Sequence, residues 1–207
     1  MVYPIDATTT ALLLIDPQRE YFDDDRPLYT PNAEKIRGNL VKLRDAARQI
    51  GLQVVFVKHV HKADGSDLGR MGDFDPTPVF IEGTASVEFI PDLLPTDGEI
   101  VVEKTRYSAF VNTPLRDILK EKKIDTVLIT GLMTNYCSVT TARHAHDLDY
   151  KTIFIVDANA GPDMPDMGFG AVSHDDIMKV TATSLSAGIA DVTTTAFVLS
   201  HLREMLR

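Results

Sequence analysis

"VLITGLMTNYCSVTTARHA", Val127 to Ala145, contains the only cysteine in 207 residues. Apolar and β-branched residues run into Gly131, a short link follows, and Cys137 opens a stretch that reads as a helix. A short apolar run closed by glycine has the character of a buried strand ending in a turn. The segment therefore predicts a strand-to-helix corner carrying a thiol.

The same kind of strand recurs along the chain. "ALLLID" (Ala11 to Asp16), "QVVFVKH" (Gln53 to His59), "EIVVEK" (Glu99 to Lys104) and "TIFIVDA" (Thr152 to Ala158) share the near-continuous apolar centre of "TVLITG" (Thr126 to Gly131). "ADVTTTA", Ala190 to Ala196, is a weaker candidate. Continuous rather than alternating apolar runs predict a parallel sheet covered on both faces. Between them lie helical patterns. In Pro31 to Ile50, residues Ile36, Leu40, Leu43, Ala47 and Ile50 share one helix face, and Gly51 follows as a stop. Thr113-Pro114 is read as opening a helix that runs to Lys122. Cys137 to Asp149, Asp175 to Ala187 and Thr195 to Leu206 complete the set. This alternation predicts a three-layer α/β/α sandwich with a mostly parallel, Rossmann-like sheet of about six strands. The length predicts a single domain over residues 1–207. Two Gly/Pro-rich segments break the rhythm. Ala63 to Gly98, with Gly65, Gly69, Gly72, Pro76, Pro78, Gly83, Pro91 and Pro95, is too long for a plain connection and is expected to cover a site. Gly161 to Gly170 is similar in character.

Composition excludes several function classes. The net charge of −9 argues against nucleic acid or an anionic membrane surface as partner. One cysteine precludes an internal disulfide framework and a Cys-rich zinc site. The opening "MVYPIDATTT" has neither a basic nor an apolar leader region, and no apolar run reaches membrane-spanning length. A cytoplasmic location is the resulting expectation.

In an open parallel sheet, ligands bind beyond the C-terminal strand ends. Asp16 ends the first run, Lys104 the third, and the fourth leads through Gly131 to Cys137. If the strands are parallel, an acid, a cation and a thiol share one edge. Each residue also has an ordinary reading: a buried thiol, a turn aspartate, a solvated lysine. At a helix N-terminus, free N–H groups and the helix dipole favour thiolate and can hold an oxyanion. A nucleophilic thiol needs a base. His144 lies seven positions on, roughly 10.5 Å along a helix, so it and His146 are read as helix-face residues. Asp16 is the better candidate. His174, after the second loop, is read as a helix N-terminal residue.

The segments "ALLLIDPQREYF", "VVFVKHVHKADGSD", "VVEKTRYSAFVNTPLRDIL", "VLITGLMTNYCSVTTARHA" and "DYKTIFIVDANA" resemble, in order, those of the isochorismatase-like cysteine hydrolases. That resemblance implies an Asp16–Lys104–Cys137 triad. It also implies a cis peptide at Leu132–Met133 and an oxyanion hole from the backbone N–H groups of Met133 and Cys137. The implied activity is metal-independent hydrolysis of an amide, carbamoyl or ureido C–N bond of a small molecule through a thioester; the alternative is hydrolysis of a vinyl ether. A non-enzymatic binding member is a third, less favoured reading. "EKTRYSAFVNTPL" is nearest to the ureidoacrylate amidohydrolases, which makes Arg106, Tyr107 and Phe110, with Tyr136, candidate substrate-binding residues. Nicotinamidases of this superfamily bind a metal through Asp-x-His and a further histidine. Here His61 fits one position, but His59 stands where the aspartate belongs. No cofactor is therefore expected. A dimer or tetramer is the implied assembly.

Overall fold

The computed structural model describes residues 3–74 and 78–205; Pro76 and Leu206, singled out above, lie outside them. Six strands form one sheet: β1 (Thr10–Ile15), β2 (Gln53–His59), β3 (Ile100–Lys104), β4 (Thr126–Leu132), β5 (Lys151–Ala160) and β6 (Asp191–Thr193). Their order is β3-β2-β1-β4-β5-β6, and every pairing is parallel.

Alternation along the buried strands sends side chains to two cores. Leu12 and Leu14 pack on one face with Ile36, Leu40, Leu43 and Ala47 of α2 (Ala33–Gln49) and with Val198 and Leu202 of α6 (Thr195–Glu204). Ala11, Leu13 and Ile15 face the other side. There they meet Leu115 and Leu119 of α3 (Leu115–Glu121), Ala142 and Ala145 of α4 (Val139–Asp147), and Leu185 of α5 (His174–Ser186). Both faces of the central strands are apolar because both are covered, whereas the edge strand β3 exposes Val101 and Glu103. The expected α/β/α sandwich is the observed architecture.

Several boundaries differ from the expectation. A four-residue helix, α1 (Arg19–Phe22), follows β1 and has too few residues to show a period. "ADVTTTA" contributes only Asp191–Thr193 as strand, because the Thr194 side chain accepts from Phe197 N–H and starts α6. Pro114, rather than Thr113, occupies the α3 cap position, although Thr113 Oγ1 accepts from Leu115 N–H. Cys137 does not open an α-helix. It lies in a π-helical turn, Thr134–Ser138, that precedes α4. Among the described residues, no helix is long and apolar enough to cross a membrane.

The strand order reverses between β1 and β4, so the connections leaving these two strands diverge to opposite faces. A crevice opens at such a switch point. Asp16 and Cys137 follow the two central strands, and His59 pairs in register with Lys104 across β2 and β3.

Candidate active site

Asp16 is set by the backbone. The residue has φ 50°, a left-handed conformation uncommon outside glycine. Its N–H donates to Val57 O and its carbonyl accepts from Gln18 N–H, so the chain turns sharply where β1 ends. Gln18 is wholly buried and ties this turn to β2: its Nε2 donates to His59 O at 2.8 Å, and its Oε1 accepts from His59 N–H at 2.8 Å. On the neighbouring strand, Gly131 has φ 121°, and a Cβ there would lie 1.9 Å from Ile15 O. Glycine at this position lets β4 pass β1 closely enough to bring the Cys137 turn beside Asp16. The Leu132–Met133 peptide that follows is cis.

Four side chains from four strand ends meet here. The Lys104 ammonium lies 2.7 Å from Asp16 Oδ2, donates to His59 Nδ1 at 3.1 Å, and contacts Cys137 Sγ at 3.2 Å. All four residues are buried. The Asp16 contact is an ion pair without directed hydrogen-bond geometry, so both carboxylate oxygens keep unfilled acceptor capacity. Burial pushes the Asp16 carboxyl above its ordinary value, against the pull of Lys104. Burial disfavours the lysine charge too, but Asp16 and Cys137 outweigh it and hold Lys104 protonated. The Cys137 thiol is pushed up to about 12, chiefly by burial, with Lys104 opposing. The expected bias toward a resting thiolate is thereby corrected: desolvation outweighs the local dipole. The ion pair with Lys104 favours an ionised Asp16 beside the Cys137 thiol. Moving the thiol proton to Asp16 leaves the net charge of the site unchanged.

Asp16, His59 and Cys137 each offer a potential metal-ligand atom, mutually within 4.8 Å. These donors do not fit a metal while Lys104 is in place, because its ammonium already stands in contact with all three side chains. His61 accompanies His59, with ring centroids 4.6 Å apart, but its Nδ1 pairs with Asp67 Oδ1 at 3.2 Å.

A cavity of about 260 Å³ opens over Cys137 and His59. Tyr21, Phe80, Tyr107, Met133 and Tyr136 form much of its wall, and the Tyr107 and Tyr136 rings lie 5.2 Å apart. Leu68, Val79 and Phe80 of the long segment after β2 also border it, so this segment covers the site. Two of the proposed substrate-binding residues lie elsewhere. Phe110 packs into the core against Tyr150 and His144, at ring distances of 5.8 and 5.4 Å. Arg106 donates to Asp67 O and Thr105 O and borders an adjoining cleft. His144 bonds Ser108, and His174 begins α5 with its ring near Thr134 Oγ1; neither reaches the cavity. The sequence reading missed Tyr21, Phe80 and the place of His59 against Lys104. For His59 a signal existed, since it ends a strand as Lys104 does. For Tyr21 and Phe80 there was none beyond proximity to a motif or loop.

The isochorismatase domain family matches residues 10–196. The chain belongs to this family, the isochorismatase-like cysteine hydrolases. The crystal structure of a cysteine hydrolase from Pseudomonas syringae pv. phaseolicola superposes with a TM-score of 0.95 at 35% identity, covering 98% of this chain and 96% of that one. Nicotinamidase 3 of Arabidopsis thaliana is 33% identical over 72% of each chain. The ureidoacrylate amidohydrolase of Rhizobium rhizogenes is 28% identical over 74% of this chain and 72% of its own.

Proposed function

We propose that this protein hydrolyses a C–N bond of a small amide, carbamoyl or ureido compound through a covalent thioester on Cys137. The observation that carries the reading is the Lys104 ammonium, buried in contact with both Asp16 Oδ2 and Cys137 Sγ. A buried acid, cation and thiol form a unit for nucleophilic catalysis. The amidohydrolases among its relatives support the choice of bond.

Asp16 takes the thiol proton as Sγ attacks the substrate carbonyl, and Lys104 offsets the charge on sulfur. With the thiol pushed up to about 12, proton transfer accompanies attack rather than preceding it. The oxyanion is held by the N–H groups of Met133 and Cys137. Protonated Asp16 then gives its proton to the departing nitrogen. The C–N bond breaks, and the acyl group stays on sulfur. Water attacks the thioester, yielding a proton to Asp16. The carboxylic or carbamic acid leaves, and the proton returns to Cys137.

A panel of amides and ureides assayed for ammonia or amine release tests this, with mass spectrometry of acid-quenched enzyme for the acyl adduct. Release that persists in Cys137→Ala would overturn the covalent route. Pyruvate from a vinyl ether, with no amine from any amide, would overturn the bond assignment.

A further inference from the structure

The four-residue cluster contains one group that the triad chemistry does not use. His59 is buried and lines the same cavity as Cys137, with its ring stacked on Phe80 at 5.1 Å and an interplanar angle of 6°. Its Nδ1 lies 3.1 Å from Lys104 Nζ. An ammonium offers only donors, so Nδ1 must accept, and the ring proton of a neutral imidazole then sits on Nε2. Burial and the charge of Lys104 keep the ring neutral. Nε2 is buried and has no hydrogen-bond partner. The Thr105 carbonyl favours a protonated ring weakly but does not satisfy Nε2, and it already accepts from Arg106 Nη1 at 2.5 Å. Buried donors without partners are rare in proteins and call for an explanation.

We propose that His59, locked by Lys104 as the Nε2–H tautomer, is a substrate-binding donor, and that the substrate presents to it an uncharged lone-pair acceptor close to the scissile carbonyl. The inference rests on the hydrolase reading for the word substrate, not for the geometry. The uncharged class follows from the wall. Among the described residues lining the cavity there is no Lys, Arg, Asp or Glu, and most of the lining is aromatic or aliphatic. Arg106, the adjacent cation, borders the neighbouring cleft rather than this cavity, and its Nη1 donates to two backbone carbonyls. A substrate carboxylate would find no counter-charge on this wall, and Lys104 behind it is already paired with Asp16, whereas a neutral oxygen or ring nitrogen would satisfy His59.

Two measurements test the proposal. Nitrogen-15 NMR of the histidines in the full-length protein at neutral pH, with His59 assigned by His59→Gln, should show a protonated Nε2 and a bare Nδ1. A proton on Nδ1 overturns it. In a Cys137→Ala background, binding of benzamide is then compared by calorimetry with picolinamide, nicotinamide and isonicotinamide. Each pyridine replaces one ring C–H by a lone pair without changing shape. At least one should bind about tenfold or more tightly than benzamide, the scale of satisfying a buried donor. His59→Phe should erase that preference while keeping the ring stack, and His59→Gln, which keeps a donor and an acceptor, should retain part of it. 3-Carbamoylbenzoate should bind more weakly than benzamide. The proposal falls if no probe binds, if the preference survives in His59→Phe, or if the carboxylate binds best. The hydrolase reading fails separately: a wild-type protein that shows the His59-dependent preference but releases no ammonia loses the chemistry and keeps the subsite.

Discussion

At the residue scale, the cluster acts as a unit because each group corrects another. Lys104 carries its charge in the interior only because Asp16 or Cys137 supplies the opposite one. Removing any member should therefore be costly. Cys137→Ala, Asp16→Asn and Lys104→Ala are each expected to lower turnover by at least about a hundredfold, with circular dichroism unchanged for Cys137→Ala. Near-normal turnover in any of the three would remove that residue from the mechanism. The pH profile carries a sign. Asp16 must be unprotonated to accept the thiol proton, and burial raises its carboxyl above 3.8. The acid limb of kcat/KM should lie above the ordinary aspartate range and belong to the coupled site as a whole. A limb at or below 3.8 would contradict Asp16 as the base. Activity should also survive prolonged EDTA treatment, since Lys104 fills the place between the potential ligands. Loss on chelation and recovery with zinc or iron would require Lys104 to move aside.

At the element scale, the site depends on how closely β1 and β4 approach. Gly131 stands opposite Ile15 in the register, and the contact of its absent Cβ is with backbone, which cannot rotate away. Gly131→Ala is expected to destabilise the fold by roughly 2–6 kcal/mol, combining a positive-φ penalty with overpacking. An unchanged urea midpoint would show that the strands can part without loss. Gln18 makes the comparable link between the β1 turn and β2. Gln18→Ala leaves the His59 backbone N–H without its partner, and a loss of about 1–3 kcal/mol is expected. Because Gln18 holds the end of β2, the same variant should also weaken turnover.

At the scale of the whole molecule, three buried histidines tie stability to pH. His59, His61 and His174 are all held below the usual histidine value, first of all by burial. Between each folded value and 6.5 the unfolded chain binds more protons, so this stability is present above 6.5 and lost as pH falls. Asp16 acts in the opposite direction. Its raised carboxyl binds a proton more readily in the folded state above 3.8, so acidification there favours folding. Melting temperature should thus fall from pH 7 to pH 5, at least as steeply in Asp16→Asn as in the wild type. A flat or rising profile in that variant would contradict the neutral burial of the histidines.

The sequence by itself determined the layers and most of the strands, and its family resemblance singled out the three residues of the proposed triad. Short continuous apolar runs bounded by turn residues fit strands covered on both faces, and a parallel sheet places its strand ends on one edge. Asp16, Lys104 and Cys137 were legible because each terminates, or closely follows, such a run. Tertiary structure decided what those residues do to one another. The π-turn around Cys137, the burial that outweighs its helix dipole, and the packing of Phe110 into the core depend on neighbours distant in sequence. So does the tautomer of His59, set by an ammonium 45 positions away along the chain. Periodicity reports which face of an element is apolar; it carries no information about which polar atoms meet once the elements have packed.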